Sequence, residues 1–374
     1  MEIRAAIVRG GNSLFEIDTL TLDEPREDEI CVAISGVGLC HTDLVFASGH
    51  MPTFDLPAVL GHEGSGIVHS VGNKVTKVKV GDRVAITFGS CGHCDRCGDG
   101  DEAYCREWRA YNFAGKRLDG SKAIHDGASD VSSHFFCQSS FASHALTYER
   151  NVVKLPDDVP LELMGPIGCG VQTGVGAILN SLNAKEGSSV LITGGGSVGL
   201  SAVMGAKIAG CKTIILVEPK LNRREMAMSF GATDTLDPAQ FENLAEAVRA
   251  TNPHGVDYAL DTSGVPDVLQ AVMNCLGVKG TLGVVSVTPP DTPVPGNMLQ
   301  VMGQGHTIKG IIEGDSSPDI FIPQLVEYYR EGRLPFDKMV TTYPLSDINQ
   351  AIADQHAGLC VKACLLYTSP SPRD

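Results

Sequence analysis

Positive charge is scarce in this sequence: 29 Lys and Arg stand against 44 Asp and Glu, a formal charge of −15. So acidic a chain offers no basic face for phosphates, which excludes nucleic acid as a partner. Long apolar runs are missing too. Gly, Lys or a polar residue interrupts every candidate before it reaches a membrane-spanning length, so no membrane partner is expected. The opening MEIRAAIVRGG lacks the basic segment followed by an apolar one that marks a secretory leader. These absences point to a cytoplasmic address, where thiols stay reduced. The 12 cysteines then read as metal ligands or catalytic groups before disulfides. No internal repeat or long linker stands out. What the chain does have is 374 residues, 43% of them apolar, enough to bury a large core and by length suggesting two domains.

The texture changes along the chain. Up to about residue 150, short strand-like runs such as EICVAISGV, GSGIVHSVG and DRVAITFG are split by glycines and turn residues. After about residue 170, strand-like runs (SVLITGG, TIILVEP, VDYALDTSG, GTLGVVSV) alternate with helical ones (SVGLSAVMGAKIAG, LNRREMAMSFG, ENLAEAVRAT). That alternation predicts a parallel sheet wrapped by helices. Near the end, PDIFIPQLVEYYREGRL spaces Ile320, Leu325, Val326 and Tyr329 as a helix face.

Four cysteines crowd into one short stretch: Cys91, Cys94, Cys97 and Cys105, spaced C-x2-C-x2-C-x7-C. Disulfides, an iron–sulfur cage and a zinc clasp all use such clusters. The compartment disfavours disulfides, and the bacterial iron–sulfur run ends in C-x3-C-P, whereas here the last gap is seven and Arg106 follows. Four thiolates can close a tetrahedron around zinc with no open position, which makes the site structural rather than catalytic. The acidic composition removes the rival reading of a zinc ribbon that docks on DNA or RNA.

A catalytic zinc needs three protein ligands and a vacancy. Candidates stand in GLCHTD (Cys40), GHEGSG (His62, Glu63) and GPIGCGVQTG (Cys169), each flanked by glycines. Taken singly, Cys40 and Cys169 fit small buried apolar residues and His62 a satisfied core histidine, and spacing alone cannot join positions so far apart. A third feature is GGGSVG, Gly194 to Gly199, preceded by the strand-like VLIT and followed by a helical run. A second strand ends at Glu218. Glycines there let a helix N-terminus receive a pyrophosphate while the carboxylate holds a ribose hydroxyl pair; the plain alternative is a Gly-rich turn with an incidental acid.

These motifs stand in the order and at the intervals of one family. Over residues 1–363 the chain resembles the zinc-dependent medium-chain alcohol dehydrogenases, and FFCQSSFASHALTYERN and EGDSSPDIFIPQL narrow the resemblance to the aryl-alcohol (benzyl-alcohol) branch. The resemblance implies an α/β chain. A GroES-like, mostly-β catalytic domain would cover 1–170 and 313–363, with a structural zinc lobe at about 88–110. A Rossmann domain, a doubly wound parallel sheet for NAD, would cover 171–312, with the active site in the cleft between them.

By the same resemblance two zinc ions are expected per chain: a catalytic one on Cys40, His62 and Cys169, and a structural one on Cys91, Cys94, Cys97 and Cys105. Glu63 would sit beside the catalytic metal, Asp43 would orient His62, and Thr42 would accept the alcohol proton. His41 and Lys362 would lie near the cofactor pyrophosphate. Gly194, Gly196, Val198, Gly199, Glu218, Arg223 and Thr173 would bind NAD. One position departs from the pattern. Val45 stands where better-known members carry a histidine that passes the proton to solvent, so the exit runs through His41 or water, with His50 less suited.

Glu218 favours NAD, since a 2′-phosphate would face a carboxylate, while Lys220, Arg223 and Arg224 are near enough to soften that exclusion. The implied reaction is hydride transfer between NAD and a primary aromatic alcohol or its aldehyde, with Phe88 as a pocket wall. The alternatives are an S-hydroxymethyl-glutathione or short aliphatic alcohol dehydrogenase and, more remotely, a non-catalytic zinc and nucleotide binder. A polyol dehydrogenase fits less well, because its third zinc ligand resembles Glu rather than Cys169. TLGVVSV and HTIKGIIEG are where family members pair, implying a homodimer or homotetramer. The closing CLLYTSPSPRD, Cys364 to Asp374, resembles translated library-adapter sequence. It is expected to be non-native and outside the fold.

Overall fold

In the computed structural model, which describes residues 1–51 and 54–367, the chain divides into two units. The first comprises Met1–Cys169, Ser317–Arg330 and the described residues from Asp337 onward; the second comprises Gly170–Ser316 and Glu331–Phe336.

The spine of the first unit is the strand Glu29–Gly38, EICVAISGVG, almost wholly buried. Its apolar residues face neighbours on both sides, as a central strand requires. The sheet runs Val152–Lys154, Arg83–Ile86, Gly64–Val71, Glu29–Gly38, Lys362–Leu366, Val340–Pro344, with His144–Tyr148 also pairing with Glu29–Gly38. A second sheet of five strands, Ala58–Val59, Glu2–Val8, Glu16–Leu22, Ile124–Asp126 and Ser129–Val131, packs into the same apolar core.

Register decides what meets at one end of the larger sheet. Val37 lies opposite Gly64 and Gly38 opposite Cys364. The residues just past or at those strand ends, Cys40, His62 with Glu63, and Lys362, are therefore delivered to one place. Cys364, Leu365 and Leu366 are part of the last strand, and Cys364 and Leu365 are completely buried. The expectation that 364–374 stands outside the fold is thus corrected as far as Tyr367, because three apolar residues suit a strand covered on both faces. Residues 368–374 lie outside the described residues.

The second unit holds six parallel strands in the order Asp234–Leu236, Thr213–Val217, Ser189–Thr193, Val256–Asp261, Leu276–Val284, Thr307–Gly310. All five residues of Ser189–Thr193, SVLIT, are buried. A continuous buried run of this kind marks a parallel strand with helices on both faces, where each enclosed Val, Leu or Ile contributes about 1.5–3 kcal/mol. This is the doubly wound Rossmann sheet expected after residue 170.

Candidate metal centres and cofactor site

In the first unit, Cys40 is the N-cap of the short helix His41–Ala47. Asp43, on the first turn of that helix, accepts the Cys40 backbone N–H at 2.9 Å through Oδ2 and so caps it. Its other oxygen accepts the Gly61 N–H at 3.1 Å and the His62 Nδ1–H at 2.8 Å. Asp43 and His62 are both buried, so this one carboxylate ties the helix start to the histidine and fixes the ring's tautomer, leaving the Nε2 lone pair free.

Cys169 reaches the same place by a different route. It follows the one-turn helix Gly165–Gly168, which presses so closely on the 62–64 segment that a Cβ on Gly165 would come within 2.0 Å of the Glu63 carbonyl oxygen. Thr87 Oγ1 donates to the Gly168 carbonyl at 2.8 Å and holds the turn. The outcome is that ligand atoms of Cys40, His62, Glu63 and Cys169 all lie within 4.8 Å of one another. Thr42 Oγ1 accepts from Cys40 Sγ at 3.7 Å.

The electrostatics of this cluster suit a divalent cation. A hydrogen bond from Cys169, with further help from His62, pulls the Cys40 thiol well below its ordinary range. Burial works to lower the His62 pKa, but the Asp43 carboxylate and the Cys40 thiol override it and raise it well above the ordinary value. His62 Nε2 is buried with no hydrogen-bond partner among the described residues. A buried ring nitrogen of this kind is costly unless it finds a partner, and a cation that displaces its proton would supply one. Two sulfurs and one imidazole nitrogen form a recognised donor set for catalytic zinc. Burial raises Glu63 against the pull of Lys362.

The structure gives Lys362 a partner other than the one expected. It is 1% exposed, its Nζ lies 2.5 Å from Glu63 Oε2, and it donates to the Leu39 carbonyl at 3.1 Å. Burial acts to lower its pKa, and Glu63 more than reverses that, so the ammonium is a fixed buried charge. Lys362, expected near a pyrophosphate, is thus enclosed beside Glu63 among the residues that gather around Cys40 and His62.

Sequence reasoning missed the rings around His62. Phe136 stacks on it at 4.4 Å between centroids with an interplanar angle of 24°, and Phe135 meets it edge-on at 5.5 Å. Phe46, Phe54, Phe113 and Trp108 extend the cluster. The signal lay in FFCQSSF, which identified a family branch without showing which residue the rings meet. Phe88, expected as a pocket wall, is buried against Trp108 at 5.1 Å. Val45 is half-buried, whereas His41 and His50 are exposed.

The four cysteines of the 91–105 lobe come together. Every Sγ lies within 4.8 Å of the others, with Cys94 to Cys97 at 3.6 Å and Cys91 to Cys97 at 3.9 Å. The backbone N–H groups of Arg106 and Cys97 bring Cys94 down to about 6, while burial pushes Cys97 up to about 12. Four thiols crowded this closely cannot all ionise by themselves; a cation among them removes the conflict.

In the second unit, Gly194 to Gly199 links the strand Ser189–Thr193 to the helix Ser197–Ile208. A Cβ on Gly199 would lie 1.8 Å from the Gly194 carbonyl oxygen, so only glycine allows the helix to start so close to the strand. Glu218 is buried beside this loop. Its Oε2 accepts the Gly195 N–H at 2.6 Å and its Oε1 the Lys220 N–H at 2.9 Å. Gly196 is the helix N-cap, and Val198 stands in its first turn. Arg223 is half-buried. Arg224 is committed elsewhere, to the carbonyls of Glu218 and Pro219 and to Asp237 at 3.0 Å. Thr173 Oγ1 donates to Glu313 Oε2 at 3.3 Å. Among the described residues, no helix is long and apolar enough to cross a membrane.

Comparison with known proteins agrees with this geometry. Residues 26–157 match the alcohol dehydrogenase GroES-like domain, and residues 197–327 match the zinc-binding dehydrogenase family. The chain is 42% identical to a geraniol dehydrogenase of Castellaniella defragrans, over 97% of both proteins. An alcohol dehydrogenase zinc-binding domain protein from Burkholderia ambifaria superposes with a TM-score of 0.96 at 44% identity, covering 99% of this chain and 100% of that one. The benzyl alcohol dehydrogenase of Acinetobacter calcoaceticus superposes with a TM-score of 0.94 at 39% identity, covering 98% and 100%. A clustered Cys–His–Cys set, a glycine loop beside a strand-end carboxylate and likeness over 97% of the chain converge on one statement: this chain belongs to the zinc-type alcohol dehydrogenase family.

Proposed function

We propose that this enzyme moves a hydride between NAD and a primary alcohol whose carbinol carbon is attached to an aromatic ring, forming the aldehyde, and that it holds two zinc ions. The observation that carries the substrate class is the aromatic enclosure of His62, with Phe136 stacked at 4.4 Å and Phe135 edge-on at 5.5 Å. Flat aromatic surfaces beside the metal ligands favour a flat, unsaturated substrate through offset and edge-to-face contacts. The benzyl alcohol dehydrogenase relative points the same way. A second reading, an acyclic allylic alcohol, is favoured by the geraniol dehydrogenase relative, since geraniol also carries its hydroxymethyl group on an unsaturated carbon.

Cys40, His62 and Cys169 would hold the catalytic zinc, which supplies Lewis acidity to the alcohol hydroxyl. Asp43 keeps the His62 lone pair directed at that site, and Lys362 holds the Glu63 carboxylate in place beside it. Thr42, whose Oγ1 already meets Cys40 Sγ, accepts the alcohol's proton. His41, exposed on the same helix, passes it outward in place of the histidine that Val45 replaces. NAD, when bound, would supply the redox chemistry as the acceptor of the hydride from the alcohol's carbinol carbon. Gly194, Gly196, Val198 and Gly199 admit the pyrophosphate, Glu218 accepts the ribose hydroxyls, and Thr173 and Arg223 complete the cofactor site. The buried carboxylate of Glu218 disfavours a 2′-phosphate, and with Arg224 bound to Asp237 one of the cations that would soften this is spent. Cys91, Cys94, Cys97 and Cys105 would hold the structural zinc.

Two thiolate centres require a reducing compartment, which supports a cytosolic address. Exposed Met298, Leu299 and Met302, together with the edge strand Thr307–Gly310, support a homodimer or larger assembly; a monomer in gel filtration would overturn that part. The test of function is NADH absorbance with benzyl alcohol, geraniol and ethanol, each with NAD and with NADP. Turnover fastest with benzyl alcohol and NAD supports the proposal. Geraniol fastest replaces it with the second reading, and ethanol alone removes the unsaturated-substrate assignment.

A further inference from the structure

Four residues in one short buried stretch adopt left-handed backbone: His134, Phe136, Cys137 and Ser139, with φ of 59°, 49°, 55° and 52°. None is glycine, so the conformation is strained and persists only because the surroundings over-determine it. At its far end the stretch is fastened to the 59–64 segment that carries His62. Gln138 Nε2 donates to the His62 carbonyl at 2.9 Å, its Oε1 accepts the Gly64 N–H at 3.0 Å, and Ser139 Oγ donates to the Val59 carbonyl at 2.6 Å.

At its near end the stretch meets a buried carboxylate–guanidinium pair. His134 Nε2 lies 3.4 Å from Glu29 Oε1. Glu29 is completely buried and takes two arms of Arg117, Nε at 2.6 Å and Nη2 at 3.0 Å, while Arg117 Nη1 meets Asp23 at 2.7 Å. Burial would push the Glu29 carboxyl up, but His134 and Arg117 hold it down at about 2. A buried ion cluster is a poor source of stability, because desolvation offsets most of its attraction; its best use is to fix one arrangement among several. What it fixes here is the segment that seats Phe136 on His62.

We propose that Glu29, Arg117 and His134 are positioning residues. They clamp the left-handed 134–139 stretch so that Phe136 stays stacked on His62, and through it they set the preference for a flat, unsaturated alcohol. This rests on the substrate class proposed above. Although remote from the ligands, the cluster acts on them through one continuous buried segment.

The chain supplies its own reporter. Trp108 is its only tryptophan and lies 6.2 Å from Phe136, ring edge to face. Trp108 emission and acrylamide quenching therefore read the Phe136 position without any turnover. Two variants test the clamp. Glu29→Gln removes its centre. His134→Asn removes one arm, keeps the Glu29–Arg117 pair, and puts at a left-handed position a residue that tolerates it. Where Glu29→Gln fails to fold, His134→Asn carries the test.

The expected result in folded variants is a shifted Trp108 spectrum with stronger quenching. The benzyl-to-ethanol ratio of kcat/KM should also fall about tenfold or more, mostly through a higher KM for benzyl alcohol. A folded His134→Asn protein with an unmoved Trp108 signal and an unchanged ratio overturns the proposal. If the wild-type enzyme turns over ethanol but no aromatic or allylic alcohol, the functional reading fails and the substrate half of this proposal fails with it. The Trp108 shift then decides by itself whether the cluster positions Phe136.

Discussion

The two thiol-rich clusters of the first unit are built in opposite ways. Cys91, Cys94, Cys97 and Cys105 come from one local loop, with Cys94 and Cys97 only half-buried, and four identical donors enclose the centre. Cys40, His62 and Cys169 come from three separate segments, His62 and Cys169 are buried, and the donors are mixed and held in place by Asp43 and the Gly165–Gly168 turn. The local cluster braces its own loop and asks little of the rest of the fold. The dispersed one needs the whole sheet to exist first, and its Cys–His–Cys donors are the kind of set that leaves a metal's fourth position open. Locality thus separates bracing from chemistry.

The contrast can be broken most decisively at His62. Changing His62→Ala should cut kcat/KM by roughly a thousandfold or more and remove one zinc per chain by elemental analysis. The melting temperature should change less than in the lobe variant that follows. A larger loss of melting temperature than there would erase the distinction. Changing Cys97→Ser should instead remove the other zinc and lower the melting temperature by several degrees, with kcat/KM in the surviving folded protein held within a few-fold. Asp43→Asn tests whether support for the dispersed cluster matters as much as its ligands. Zinc affinity should fall about 10- to 100-fold in a chelator competition, with the lobe's zinc unaffected.

The smallest effect concerns a cluster of charge that holds no metal. Glu29 has a carboxyl held at about 2, down from an ordinary 4.5. A depressed carboxyl stabilises the fold above its unfolded pKa, and that contribution drains away as pH falls from about 4.5 towards 2. Acid unfolding should therefore be steeper in the wild type than in Glu29→Gln across that window, while EDTA at neutral pH should leave this difference untouched. Equal slopes would show that the pair is not coupled to folding.

How much was legible in the sequence follows the same division. The cysteine lobe, the glycine loop and Glu218 are short-range patterns, and each could be named from spacing and strand context. Cys40, His62 and Cys169 needed a family resemblance, because nothing local says that residues so far apart in the chain will meet. Phe135 and Phe136 escaped, since contact with His62 arises from a left-handed backbone that no propensity predicts at phenylalanine. The Lys362 pairing with Glu63 escaped for a related reason. Its sequence neighbourhood shows a basic residue near a strand, and only the pairing of Gly38 with Cys364 reveals that it is enclosed with Glu63.

That pairing also orders events in time. A ribosome delivers a chain from its N-terminus, and structure forms as segments emerge. The lobe can close once Cys105 is out, long before the Rossmann strands are made. The dispersed centre must wait for Cys169, and its buried countercharge for Lys362, which arrives only with the last described strand. For most of its synthesis the nascent chain thus carries a finished brace and an unfinished workshop, and of the two zinc sites proposed above the four thiols are the first ready to receive an ion.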